Sequence, residues 1–87
     1  MQDGELPLNR LPIGRAARVK ALKADGPVRR RLLDLGIVEG TDIQALFKSP
    51  SGNPVAYRIR GAVIALRADT SSKVMVSSPN KQEQGGV

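Results

Sequence analysis

Few side chains in this sequence could do chemistry, and the usual reagents are missing. It holds no histidine and no cysteine, which removes the commonest general base, the thiolate nucleophile, disulfides, haem ligation and thiolate or imidazole zinc sites together. A metal would find only oxygen donors. Asp25, Asp34, Asp42 and Asp69 fall in different predicted elements, without the looped spacing of a calcium site. No serine or lysine stands near a plausible base, and no two carboxylates are placed for paired acid and base work. The glycines at 36, 40, 52 and 61 read as caps and turns, because they do not follow a strand and open a helix as a phosphate-cradling loop does. We therefore expect no catalytic residue, no cofactor, no bound nucleotide and no metal. Whatever the chain does, it does by contact.

The contacts it can offer are basic. Fourteen lysines and arginines stand against eight acids in 87 residues, a net charge of +6, which draws a small domain towards acidic protein faces, nucleic acid or anionic headgroups. Arg29, Arg30 and Arg31 form the densest cluster. On a helix they fan out at about 100° each, as a solvated face would. Arg29 and Arg30 beside the apolar Leu33 are also the composition of an interface anchor. Arg58 and Arg60 share a strand face and, with Arg67, could extend a basic patch. Leu46 falls on a face that Gln44 and Lys48 mark as outer, so it is either a docking residue or covered. We expect cover, because Leu6, Leu8 and Leu11 need a place to pack. Tyr57 reads as core with its hydroxyl at the rim.

These residues sit on a regular succession of elements. Ala17, Val19 and Ala21 alternate with Arg18 and Lys20 as a half-buried strand. Asp25, Gly26 and Pro27 then open a helix over about 27–35. Val28, Leu32 and Leu35 share its inner face, Leu33 widens that face, and Arg30 and Asp34 are spaced for an ion pair. Gly36 supplies the positive-φ residue of a Schellman stop, with Ile37 as its apolar partner. After a turn at Glu39 and Gly40, Ile43, Ala45 and Phe47 are expected to point inwards from a second strand. Pro50 to Pro54 make a hairpin loop. Val55, Tyr57 and Ile59 return, Gly61 breaks or bends the sheet, and Val63–Leu66 and Val74–Ser77 complete the set. This is a mainly β chain of about five short antiparallel strands with one helix after the first, and a closed barrel would remove its exposed edges. Residues 8–77 are expected to form the single domain. Residues 1–7 and 78–87 show no apolar period and read as flexible or disordered tails.

Taken in order, LPIG (Leu11 to Gly14), RRRLLDLGIVEGTDI (Arg29 to Ile43), PSGNPVAYRIRG (Pro50 to Gly61), IALR (Ile64 to Arg67) and VMV (Val74 to Val76) resemble the FeoA family over about seventy residues. The RLLDLGIVEGT segment is the most specific part. The resemblance implies a small SH3-like barrel that accompanies FeoB, the bacterial membrane protein of ferrous iron uptake with a cytoplasmic GTP-binding domain. The partner it implies is thus a FeoB-like transporter. Many members carry an apolar residue at the hairpin tip where this chain has Ser51, so docking through the tip is expected to be weaker here. Thr70 stands where alanine is common, a small change at a turn.

The expectation is a non-catalytic, cytoplasmic accessory protein that modulates FeoB through protein contacts, with Arg29, Arg30, Leu33, Leu46, Arg58 and Arg60 as candidate partner-binding residues. No run approaches the roughly 18 apolar residues of a membrane span, and the amino terminus lacks the features of a secretory signal. The alternative is a basic barrel that binds nucleic acid or acts in iron-dependent gene control, since a related barrel ends the DtxR-type repressors. Against it, Phe47 and Tyr57 are both expected inside, which leaves no surface aromatic for stacking on bases or for a proline-rich peptide groove.

Overall fold

A computed structural model describes residues 4–77. Six strands run in chain order: β1 (Glu5–Pro7), β2 (Ala16–Leu22), β3 (Asp42–Lys48), β4 (Val55–Ile59), β5 (Ala62–Leu66) and β6 (Val74–Ser77). A single 3-10 turn, Leu8–Arg10, follows β1, helix α1 (Gly26–Asp34) lies between β2 and β3, and the short α2 (Ala68–Ser71) lies between β5 and β6. All pairings are antiparallel, in the order β1-β6-β2-β3-β4-β5. Strand β2 serves both halves. Its first part, Ala16 to Arg18, pairs with β3, and its second, from Val19, pairs with β6 across an irregularity between Val19 and Ala21. That bend curls the sheet around its core in the SH3-like manner.

Two expectations are corrected here. The sheet is not closed: β1 and β5 stand at its ends, each paired on one side only. Residues 5–7, read as part of a tail, form a strand, with Leu6 opposite Val76. Its regularity comes from β6 and not from an apolar period of its own. The last ten residues, read as a disordered tail, lie outside the described residues.

The core is aliphatic, built from Leu8, Leu11, Val19, Leu32, Ile37, Ile43, Ala45, Ile59, Leu66, Val74 and Val76 around Tyr57. Helix α1 contributes only Leu32 as a fully covered side chain, while Leu35 is half-buried and Val28 and Leu33 are exposed. The apolar face is therefore narrower than the spacing predicted. Arg30 and Asp34 form no ion pair, and among the described residues the only one joins Arg18 to Asp42 at 3.1 Å on the surface, a position where such pairs contribute about 0–1 kcal/mol.

The end of α1 is fastened by backbone geometry. Gly36 N–H donates to the Leu33 carbonyl at 2.9 Å and Ile37 N–H to the Leu32 carbonyl at 3.0 Å, which is the Schellman arrangement. Gly36 adopts φ +89 and Ile37 is fully buried. Thr41, itself buried, then clasps the loop: its hydroxyl donates to the Gly36 carbonyl at 3.0 Å and accepts from Val38 N–H at 3.2 Å. The same loop is sewn to β2, because Val19 N–H donates to the Thr41 carbonyl and Gly40 N–H to the Val19 carbonyl, both at 2.8 Å. The LGIVEGT run is thus a structural clasp between helix and sheet. Thr41→Val, which keeps the shape and deletes the hydroxyl, is expected to cost about 1–2 kcal/mol, with Thr41→Ser recovering most of it. Gly36→Ala is expected to cost about 1–2 kcal/mol through the left-handed backbone. The nearest atoms to its added Cβ belong to the flexible Arg60 side chain, which must shift to admit it. Chemical denaturation midpoints measure all three.

Tyr57 spans the core from β4 to the amino-terminal turn. Its hydroxyl donates to the Leu8 carbonyl at 3.4 Å, the ring is fully buried, and the buried Ser71 of α2 lies beside the oxygen. Burial pushes the phenol above its ordinary value of 10.0, partly offset by a hydrogen bond from Ser71. The folded state therefore holds the proton to higher pH than the unfolded chain does. Stability from this group is complete below pH about 10 and declines as pH rises through the raised value. Alkaline denaturation of the native chain should accordingly steepen above pH about 10 more than that of Tyr57→Phe. Tyr57 is the only tyrosine, so phenolate absorbance reports its titration directly.

Candidate functional site

The six candidate residues do not converge on one site. Arg29, Arg30 and Leu33 come together on α1, where with Gly26 and Pro27 they line a shallow concavity. Pro27 occupies the first turn, where its missing N–H costs nothing. Leu33 is exposed one position past the buried Leu32, because consecutive helical residues lie about 100° apart. The result is an apolar spot, Leu33, bordered by two exposed guanidinium groups. No acidic residue lies in the helix's first turn.

Arg58 and Arg60 sit elsewhere, on β4 and the turn that follows. They line a second cleft, of about 470 Å³, with Gln44, Asp42, Thr41 and Gly61. Arg58 donates to the Gln44 side-chain oxygen at 3.4 Å, its cross-strand neighbour. Arg60 takes φ +53, in the left-handed region, and with Gly61 at φ +85 makes the two-residue turn between β4 and β5. This is the type I′ geometry that matches strand twist. Its side chain lies over Gly36, within 2.6 Å of where a Cβ there would stand. Arg60 thereby lays its stem across the end of α1, where its positive charge is also favourable to the helix dipole. Leu46 joins neither group and is half-buried in β3.

Leu46 has a different consequence. The pairing of β3 with β4 runs Ala45 to Tyr57 and then Phe47 to Ala56, so Leu46 is the extra residue of a bulge. One extra residue inverts the side-chain phase beyond it. Phe47, expected inside, therefore points outwards and is 59% exposed. On that outer face Phe47, Ala56 and Ala65 form one cross-strand row, and Gln44, Arg58 and Val63 form another. Val63 is 58% exposed, while Ala56 between its two neighbours is buried. The argument from aromatic burial consequently holds for Tyr57 and fails for Phe47. Strict alternation could not reveal this patch; the one sign available was Leu46, an apolar residue in the outward phase between two residues expected inside. Phe47→Ser should shift stability by no more than about 0.5 kcal/mol, whereas Ile43→Ala should cost about 2–5 kcal/mol. Paired denaturation curves test the inverted phase.

Among the described residues no group of three or more acidic, histidine or cysteine side chains is placed to hold a metal ion. No helix among them is long and apolar enough to cross a membrane. The arrangement offers two basic surfaces with apolar content and no assembled reagent.

A small, curled, antiparallel sheet with helix α1 inserted between its strands β2 and β3 defines an SH3-like domain. The chain belongs to the FeoA family: the FeoA domain matches residues 6–78. It is 32% identical over 69 residues to the Fe(2+) transport protein A/Fe(2+) transporter FeoB fusion protein of Porphyromonas gingivalis, a match covering 79% of this chain and 8% of that much longer protein. The FeoA-like protein of Clostridium acetobutylicum superposes with a TM-score of 0.83 at 30% identity over the full length of both chains. The FeoA of Stenotrophomonas maltophilia, complexed with zinc and described as a prokaryotic SH3 domain protein, superposes with a TM-score of 0.72 at 28% identity, covering 87% of this chain and 89% of that one. A manganese-dependent transcriptional repressor shares the fold at 18% identity, with a TM-score of 0.78 over 90% of this chain and 44% of its own. The FeoA family is linked to ferrous iron transport.

Proposed function

We propose that the chain is a non-catalytic accessory domain of ferrous iron uptake that acts in the cytoplasm by binding a FeoB-like transporter and shifting its conformational or nucleotide-linked equilibrium. The observation that carries this reading is the Porphyromonas relative, in which a FeoA segment similar to this chain is covalently joined to FeoB. Joining two modules raises their effective concentration towards millimolar, which favours a contact between them. The absence of histidine and cysteine from the whole sequence fits a role in which the iron is handled by the partner. The surface we assign to the contact is Arg29, Arg30 and Leu33. An exposed leucine rimmed by arginines suits an acidic protein face with an apolar centre. The effect on the partner can be no larger than the difference in binding energy between its states.

FeoB from the same organism should retain this protein during co-purification. Arg29→Glu with Arg30→Glu should weaken retention about tenfold or more, since like charges then face each other, and Leu33→Asp should do the same. Retention that survives both changes would remove the helix from the interface.

A second reading is favoured by one observation, the exposed Phe47 on a chain of net charge +6, which supplies a stacking platform for a base. Titration of labelled single-stranded and duplex DNA at near-physiological salt separates the two, because purely ionic association collapses as salt rises. Sub-micromolar binding that persists there and is lost in Phe47→Ala would favour the nucleic acid.

A further inference from the structure

The two ends of the open sheet are built differently. Strand β1 is three residues long and contains Glu5 and Pro7, so it carries a charge and lacks an N–H, both devices that blunt an edge. Strand β5, Ala62-Val63-Ile64-Ala65-Leu66, has no charge, no proline and no bulge, and pairs in regular register with β4 alone. Its hairpin turn fixes which backbone groups are spare. A two-residue type I′ turn at Arg60 and Gly61 makes Ile59 and Ala62 a hydrogen-bonded pair, and such pairs recur at alternate positions, Tyr57 with Ile64 and Val55 with Leu66. The N–H and C=O of Val63 and Ala65 therefore point away from β4, towards solvent. Both side chains are exposed on the outer face, in the rows that hold Phe47 and Arg58.

We infer that this edge is a second docking site, which accepts an extended acidic segment of a partner protein as an added antiparallel or parallel strand. Charge selects the occupant. Residues 43–68 contain Lys48, Arg58, Arg60 and Arg67 and no acid. Arg60 and Arg67 flank the strand at its two ends, and Arg58 stands beside Val63 on the outer face. A second copy of this chain fits poorly: antiparallel pairing of two β5 edges brings Arg67 of each against the Arg60 turn of the other, and like charges opposite each other are destabilising. A strand that alternates acidic and apolar residues presents one kind to each face. Its backbone bonds Val63 and Ala65, its acids lie on the outer face towards Arg58 and the arginines at the strand's ends, and its apolar side chains extend the inner row of Ile64 and Leu66. This inference does not depend on the helix surface assigned above, and the variants that test it lie on a different face.

The probe is a capped, fluorescently labelled peptide of alternating glutamate and valine, eight residues long, titrated into the full chain, with the lysine-for-glutamate peptide as its counterpart. The acidic peptide should bind, slow amide exchange at Val63 and Ala65, and lose about tenfold in affinity to Arg58→Glu with Arg67→Glu. Ala65→Pro removes an outward N–H without touching the β4 ladder and should abolish binding. Val63→Glu sets an acid against the peptide's own acids and should do the same if the proline variant does not fold. No binding of the acidic peptide at millimolar concentration, equal binding of the lysine peptide, unchanged binding by Ala65→Pro or Val63→Glu, or exchange protection confined to other strands would each overturn the inference. So would a dimer, seen by sedimentation at micromolar concentration, that Val63→Lys dissociates, since the edge would then belong to a second copy.

Discussion

The hydroxyl of Thr41, bonded on one side to the carbonyl of Gly36 and on the other to the N–H of Val38, closes the loop on which the placement of α1 depends. A nine-residue helix is marginal by itself in water, and this one sends only Leu32 fully into the core, an anchor of about 1.5–3 kcal/mol. Its position must therefore be fixed at its ends. The Schellman bonds at Gly36 and Ile37, the buried Ile37 and the exchange of hydrogen bonds with Val19 do this at the carboxyl end. The stem of Arg60 lies over the same glycine. Helix, β2 and the β4–β5 turn are thus registered against each other through a few residues around position 36.

Much of this was legible in the sequence because it is local. The helix bounds, the glycine stop with its apolar partner, the turn at Glu39 and Gly40 and the return strands all follow from residue types at fixed offsets. The features that escaped depend on pairing partners. A bulge at Leu46 exists only relative to β4, and once it is present the period of two carries Phe47 to the wrong face. Glu5–Pro7 has no pattern of its own and is a strand because β6 lies beside it. Closure of the barrel was inferred from the general disadvantage of edges, and the chain instead blunts one end and leaves the other plain. The candidate residues were recognisable by type. Their separation into a helix patch and a turn cleft was not, since both groups are basic and neither spacing encodes the distance across the sheet.

The division of labour among the arginines follows from these positions. Arg18 is held by Asp42, Arg58 by Gln44, and Arg60 is laid across Gly36, so each is partly committed within the fold. Arg29 and Arg30 line their concavity with an apolar side chain beside them. Side chains already held in place lose less freedom on meeting a partner, while free ones bind more adaptably. The cleft by Arg58 is in this sense a preformed surface and the helix patch an adaptable one.

Helix α1 answers to the sheet through Leu32 and through its termini, and the sheet asks little of the positions between them. A lineage could therefore rewrite the outward turns of this insertion while the sheet beneath continued to fold unchanged. On the helix surface proposed for the contact, the residues that would meet a partner are largely separate from those that hold the fold, so that surface is free to change its preferences without cost to folding.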